Sequence, residues 1–302
     1  MALKDILTNL RNPTKRFNRI NLGGFISPTI LKWRVTDLIL IVILIILYFV
    51  LYNVKPFHRQ FYINDLTISH PFAEVETVGN TALFVYSTWI PLAIVIVVSL
   101  LFTTPQYKLY NTYVAVIGLC LSVLITSVVT DVLKNWIGRL RPDFLARCVP
   151  DASTPINKLV SIEVCTTDNL GLLEDGFRTT PSGHSSLSFA GLSFLALFLL
   201  GQLQAPNTKV GSWRTLIGSA PFLMAAYIAL SRTRDYRHHF VDVLTGSVLG
   251  LGFGFWSYLR LFPWISHDRS YVNLIIIEEE DEENNSKLDQ DNEANYTRLT
   301  DV

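Results

Sequence analysis

Cysteine and methionine are scarce here, with three and two in 302 residues, so no disulfide scaffold holds this chain together. Charge is scarce too. Only 17% of residues are Asp, Glu, Lys or Arg, where an ordinary globular chain carries about a quarter. The formal net charge is zero. A disordered protein, a coiled coil and a nucleic-acid binder held by general basic charge are therefore excluded, and a water-soluble globule fits poorly. Residues 1–30 contain no apolar h-region ahead of a cleavage site, so no secretory signal peptide is expected. No internal repeat is visible.

Apolar residues are plentiful. They make up 50% of the chain, and mean hydropathy is +0.33. A helix crossing ~30 Å of hydrocarbon needs about 20 mainly apolar residues. Six stretches come close: 35–54, 82–102, 113–133, 185–203, 216–230 and 240–261. The fifth is short and should extend at both ends. Residues 38–52 are apolar without a break, which argues against six buried helices of a soluble core. The expected fold is all-α, a polytopic membrane protein with six transmembrane helices.

The zero net charge conceals two opposite ends. Residues 1–34 carry seven Lys/Arg and one acid, whereas 264–302 carry eleven Asp/Glu and three Lys/Arg. We read 1–34 as a basic arm, 35–262 as the membrane domain and 263–302 as an acidic tail without structure. Only Lys55 and Arg59 follow the first apolar run closely, so the positive-inside rule places the N-terminus in the cytosol. Six spans then return the C-terminus to the same side. The first span would serve as an uncleaved anchor. Sequons at Asn284 and Asn295 would stay unmodified in a cytosolic tail.

Polar residues gather at three helix ends, all on the non-cytosolic side of this topology. The first group runs from Lys134 through Arg139 to Arg141-Pro142-Asp143. Basic residues beside a membrane helix often snorkel to headgroups, but Pro142 ends the helix and fixes how Arg141, a bidentate phosphate ligand by type, projects. The second group is Pro181-Ser182-Gly183-His184, which opens the fourth apolar run. Free N–H groups at such a helix start suit an anion, while N-capping by Ser182 or Ser185 is the plainer alternative. The third is Ser231-Arg232 through Arg234, Arg237, His238 and His239 to Asp242. His238 and Asp242 are four apart, hence on one helical face, and a carboxylate bonded to one imidazole nitrogen makes the other more nucleophilic. Spacing does not choose between His238 and His239. Arg232, Arg234 and Arg237 would neutralise an anion. Cations, an N–H nest, a nucleophile and a second histidine as acid together suit phosphoryl transfer.

These blocks resemble the type 2 phosphatidic acid phosphatase family, also called lipid phosphate phosphatases. Its signature is K-x6-R-P, P-S-G-H and S-R-x5-H-x3-D. Here it reads Lys134…Arg141-Pro142, Pro181-Ser182-Gly183-His184 and Ser231-Arg232…His238…Asp242, with every spacing kept. Stretches 59–71, 134–144 and 235–243 are similar to the fungal vacuolar diacylglycerol pyrophosphate phosphatases. The resemblance covers about residues 35–262. It implies a haloperoxidase-like helical bundle, with His238 as the nucleophile that forms a phosphohistidine, Asp242 orienting it, and His184 as acid and then base. Lys134, Arg141, Ser182, Gly183 and Arg232 would hold the phosphoryl oxygens. It also implies no metal and no cofactor, lipid phosphate substrates, and a vacuolar or other endomembrane location with a lumenal site.

Other readings compete. Polyprenyl diphosphates and sphingoid-base phosphates present the same terminal phosphate. A metallohydrolase would use the histidines as ligands, though the arginines disfavour a bound cation. Ser182 as a serine nucleophile would leave those arginines without a role. An anion or lipid transporter should bind near the bilayer midplane, not at helix ends. Finally, Cys148 and Cys165 share the loop between the third and fourth spans, where an oxidising lumen would permit a disulfide. That bond would close a loop of about 18 residues, an effect of ~3 kcal/mol in the chain-entropy model.

Overall fold

The computed structural model of the protein describes residues 27–300; the basic arm up to residue 26 lies outside them, as do the side chains of 291–300, Asn295 included. Among the described residues six helices are long and apolar enough to span a membrane: α1 (Val35–Tyr52), α2 (Asn80–Phe102), α3 (Lys108–Ile137), α4 (Gly183–Gln202), α5 (Trp213–Arg234) and α6 (Phe240–Leu259). This is the all-helical, six-span fold expected. Helix α5 extends beyond both ends of its apolar run, and α3 continues far enough to carry Lys134 in its last turn.

Side-chain size decides which helix lies where. In lipid, apolar faces gain little by leaving one apolar medium for another, so small residues that let backbones approach drive association. Helix α4 is rich in Ser, Gly and Ala and takes the centre, packed against α2, α3, α5 and α6. Helix α1, built of large aliphatics, packs on α3 and buries only Asp37 and Leu44. Gly246, Gly250 and Gly254 form a stripe on α6 that lies directly against α4. A methyl group on Gly250 would overlap the Ser186 carbonyl, so α6 approaches α4 this closely only with glycine there. In α2, Pro91 cannot donate to the Ser87 carbonyl, and the helix loosens into a π turn at Val85–Trp89.

At one end of the bundle the two long loops fold together into a cap. Its core is Phe61, Ile68, Leu140, Phe144, Val160, Leu173 and Phe177, joined by Cys148. Backbone bridges tie Phe61 to Val160 and Pro150 to Cys165. Cys148 and Cys165 are disulfide-bonded, with Cα atoms 4.6 Å apart. Buried Arg147 pairs with Asp143 at 2.9 Å and with Asp175 at 2.9 Å, which locks both halves of the loop together.

The acidic tail differs from expectation. It is helical, as α7 (Leu274–Thr300). Its start is anchored: Ile276 and Ile277 are buried beside Tyr107 and Tyr110, and Asn273 bonds the buried Asn111. The Asn273 side chain also accepts from the Ile276 N–H. Beyond that turn, Lys32 pairs with Glu279 and Arg269 with Asp281, so basic groups offset the acidic run that composition alone marked as self-repelling.

Candidate active site

Helix α3 ends at Gly138, whose φ of +59° is left-handed and whose missing side chain lets the Phe57 carbonyl come close. The chain then doubles back, sending Arg139 and Arg141 toward the start of α6. A cavity of about 550 Å³ opens here between α1, α2, α3, α4 and the cap. Lys134, Arg141, Gly183, His184, Arg232 and His238 all line it. The three sequence blocks, more than a hundred residues apart end to end, meet at this one place.

His238 is buried, with Nε2 3.4 Å from Arg141 Nη1 and Nδ1 3.1 Å from Thr179 Oγ1. Burial first, and then the charges of Arg141 and Lys134, push its pKa well below the usual histidine value. The imidazole is therefore neutral and keeps a lone pair at neutral pH. His184 faces the Val78 carbonyl at 3.0 Å and Arg232 Nη1 at 3.3 Å.

The His238–Asp242 geometry departs from the sequence expectation. His239, not His238, is the N-cap of α6, so His238 stands outside the helix and does not share a helical face with Asp242. Thr179 bridges the gap: its hydroxyl donates to Asp242 Oδ2 at 2.7 Å and meets His238 Nδ1 on its other side. Its single proton is committed to the carboxylate, so Nδ1 must donate to Thr179 Oγ1, which leaves Nε2 unprotonated toward the cavity. Asp242 also accepts from Thr180 Oγ1, Arg139 Nη1 and the His239 N–H. The polar Thr179-Thr180 pair just before Pro181 was the available sequence signal for this relay.

Ser182 and Asp242 lie behind the cavity wall rather than on it. Ser182 caps α4, accepting from the Ser185 N–H, and its own N–H donates to the Asp242 carbonyl. Of the third block's arginines only Arg232 lines the cavity. Arg237 instead binds the Ala73 carbonyl, pairs with Glu76 and Asp143, and stacks over Phe72. It organises the loop and does not face an incoming anion.

Two carboxylates missed by sequence reasoning occupy the cationic groups. Asp175 binds Arg141 at 2.8 Å, and Glu76 binds Arg232 at 2.8 Å. Asp235 also binds Arg232, at 2.6 Å. Burial would raise the Asp175 pKa, but Arg141 and Arg147 override it and hold it at about 2. Lys134 has no carboxylate within ion-pair distance among the described residues; its Nζ donates to the Arg178 carbonyl at 2.8 Å. Imidazoles interleaved with three cations suit an anion far better than a metal ion.

A neutral histidine facing a cationic cavity at the end of a six-span bundle defines a membrane protein built to handle phosphate. Residues 115–265 match the PAP2 superfamily, and the chain belongs to that family. It is 49% identical to diacylglycerol pyrophosphate phosphatase 1 of Saccharomyces cerevisiae over 77% of this chain and 81% of that one. Identity is 38% to the probable diacylglycerol pyrophosphate phosphatase 1 of Schizosaccharomyces pombe, over 80% and 86%. Lipid phosphate phosphatase 2 of Arabidopsis thaliana is 34% identical over 78% and 79%. No solved structure matches the chain.

Proposed function

We propose that this protein is a multi-pass membrane lipid phosphate phosphatase that removes the terminal phosphate of diacylglycerol pyrophosphate and of phosphatidate. The observation that carries the reading is neutral His238, its Nε2 beside Arg141 in a cavity that His184 and Arg232 share. Kinship with the fungal and plant relatives supports the substrate class.

In the first step His238 Nε2 attacks the terminal phosphorus. The N–P bond forms as the P–O bond to the rest of the lipid breaks, and His184 gives its proton to the departing oxygen. In the second, His184 takes a proton from water as the water oxygen attacks phosphorus. The N–P bond breaks, orthophosphate leaves and His238 is neutral again. Lys134, Arg141 and Arg232, with the Gly183 end of α4, hold the phosphoryl oxygens and stabilise the charge that builds there. Ser182 acts indirectly, by capping α4 and so holding Gly183 and His184 in place. The reading assigns no cofactor, because the cations do the work a divalent metal does elsewhere. Purified protein in detergent with excess EDTA is expected to release orthophosphate from both lipids at an undiminished rate. Activity lost to EDTA and restored by Mg²⁺ would overturn the reading.

The site is read as facing away from the cytosol, in the lumen of a vacuole or another endomembrane compartment. The seven-to-two charge bias across α1 and the disulfide beside the site both support this orientation. Protease added to sealed, right-side-out vesicles should remove the α7 tail and spare activity. A tail resistant until detergent is added would reverse the topology.

A further inference from the structure

Arg178 also lines the cavity, yet it lies outside all three sequence blocks and the proposed mechanism gives it no task. Its Nη2 donates to the backbone carbonyls of Tyr52 and Val54, at the end of α1. Its Nε is buried without a hydrogen-bond partner, and its Nη1 makes no hydrogen bond among the described residues. No carboxylate among those residues lies within ion-pair distance of it. Arg141 and Arg232, by contrast, are matched by Asp175, Glu76 and Asp235. Two carbonyl bonds fix where the guanidinium sits. They leave its other donors unused, and Asp131, on the same cavity wall, acts on its charge only from beyond ion-pair distance.

Its position relative to the terminal-phosphate groups is defined. The Arg178 carbonyl receives the Lys134 Nζ, so the two residues are adjacent. From there the side chain runs toward α1, where Tyr48, Leu51 and Tyr52 form the apolar-facing wall of the same cavity. Arg178 thus meets Lys134 through its backbone carbonyl and the end of α1 through its guanidinium, on the wall of the cavity that His238 and Arg141 also line. A phosphate monoester has one phosphate, and Lys134, Arg141 and Arg232 suffice for it. A diphosphate lipid has a second, anionic phosphate between the scissile bond and the glycerol.

We propose that Arg178 is the subsite for the inner phosphate of a diphosphate lipid, and so favours diacylglycerol pyrophosphate over phosphatidate at this site. The inference rests on the functional reading above and deepens it. Arg178 contacts neither the attacked phosphorus nor His238; it holds the leaving group, which is the new phosphatidate.

The test is kcat/KM for both lipids with wild type, Arg178→Gln and Arg178→Lys in matched detergent. A charge-assisted contact of this kind predicts about a tenfold fall for the diphosphate in Arg178→Gln, with phosphatidate falling less than about threefold. Arg178→Lys should recover part of the preference. An equal fall on both lipids would assign Arg178 a structural role at the end of α1 and overturn the subsite, as would an unchanged ratio. Should Arg178→Gln fail to fold, inhibition of the wild type decides. Methylenediphosphonate should compete with phosphatidate at least about tenfold more tightly than orthophosphate, and equal inhibition would overturn the proposal. A wild type inert toward both lipids overturns the functional reading and the subsite with it. A wild type active on both, with its preference unmoved in Arg178→Gln, overturns the subsite alone.

Discussion

Replacing His238 with alanine is expected to reduce phosphate release to background, a loss of about 10⁵-fold or more by analogy with other nucleophile–base units. Radiolabel from a substrate carrying ³²P in its terminal phosphate should no longer be trapped on the protein. His239→Ala is the informative companion. His239 caps α6, and its ring faces the Leu140 carbonyl at 3.3 Å rather than the cavity. That variant should lose some stability yet still form the labelled intermediate. His184→Ala should label with a substrate whose leaving group needs little protonation, such as an aryl phosphate, and then release phosphate slowly. Label surviving in His238→Ala would sink the assignment and transfer the nucleophile elsewhere.

The second large effect concerns the relay behind His238. Asp242→Asn should cost on the order of 10³- to 10⁴-fold in kcat, the scale seen when a histidine loses the carboxylate that sets its tautomer. The structure adds a sharper expectation, because the carboxylate acts on His238 through the Thr179 hydroxyl. Thr179→Val keeps the shape and removes the bridge, and should lower kcat about a hundredfold with little change in KM. Thr179→Ser should restore most of it. The double variant Thr179→Val/Asp242→Asn should be little worse than Asp242→Asn alone, since both interrupt one path. Full activity in Thr179→Val would mean that His238 and Asp242 communicate directly during turnover, against the arrangement seen here.

Much of this protein can be read along the chain. Crossing a bilayer is a local requirement, satisfied by about 20 apolar residues in a row, so the six spans are legible one segment at a time. The three motif blocks are equally local. Each is a short string at a helix end, and their residue types already carry the chemistry of an anion. Lys134, Arg141, Gly183, His184, Arg232 and His238 do converge on one cavity.

What only the tertiary structure decided are the partners drawn from distant parts of the chain. Asp242 stands behind Thr179, 63 residues away, and Glu76 sits on Arg232 from a separation of 156. No periodicity encodes such pairings, because they depend on how two loops fold over the bundle end. The i,i+4 expectation for His238 and Asp242 failed for a related reason. It assumed a helix already formed at His238, whereas the N-cap falls one residue later. The tail misled in the same way. Its composition reports self-repulsion, but Ile276, Ile277 and Asn273 dock it onto the bundle, and Lys32 and Arg269 supply the opposite charge from elsewhere. Composition and local pattern determine what a segment needs from its surroundings, and only packing determines which surroundings it finds.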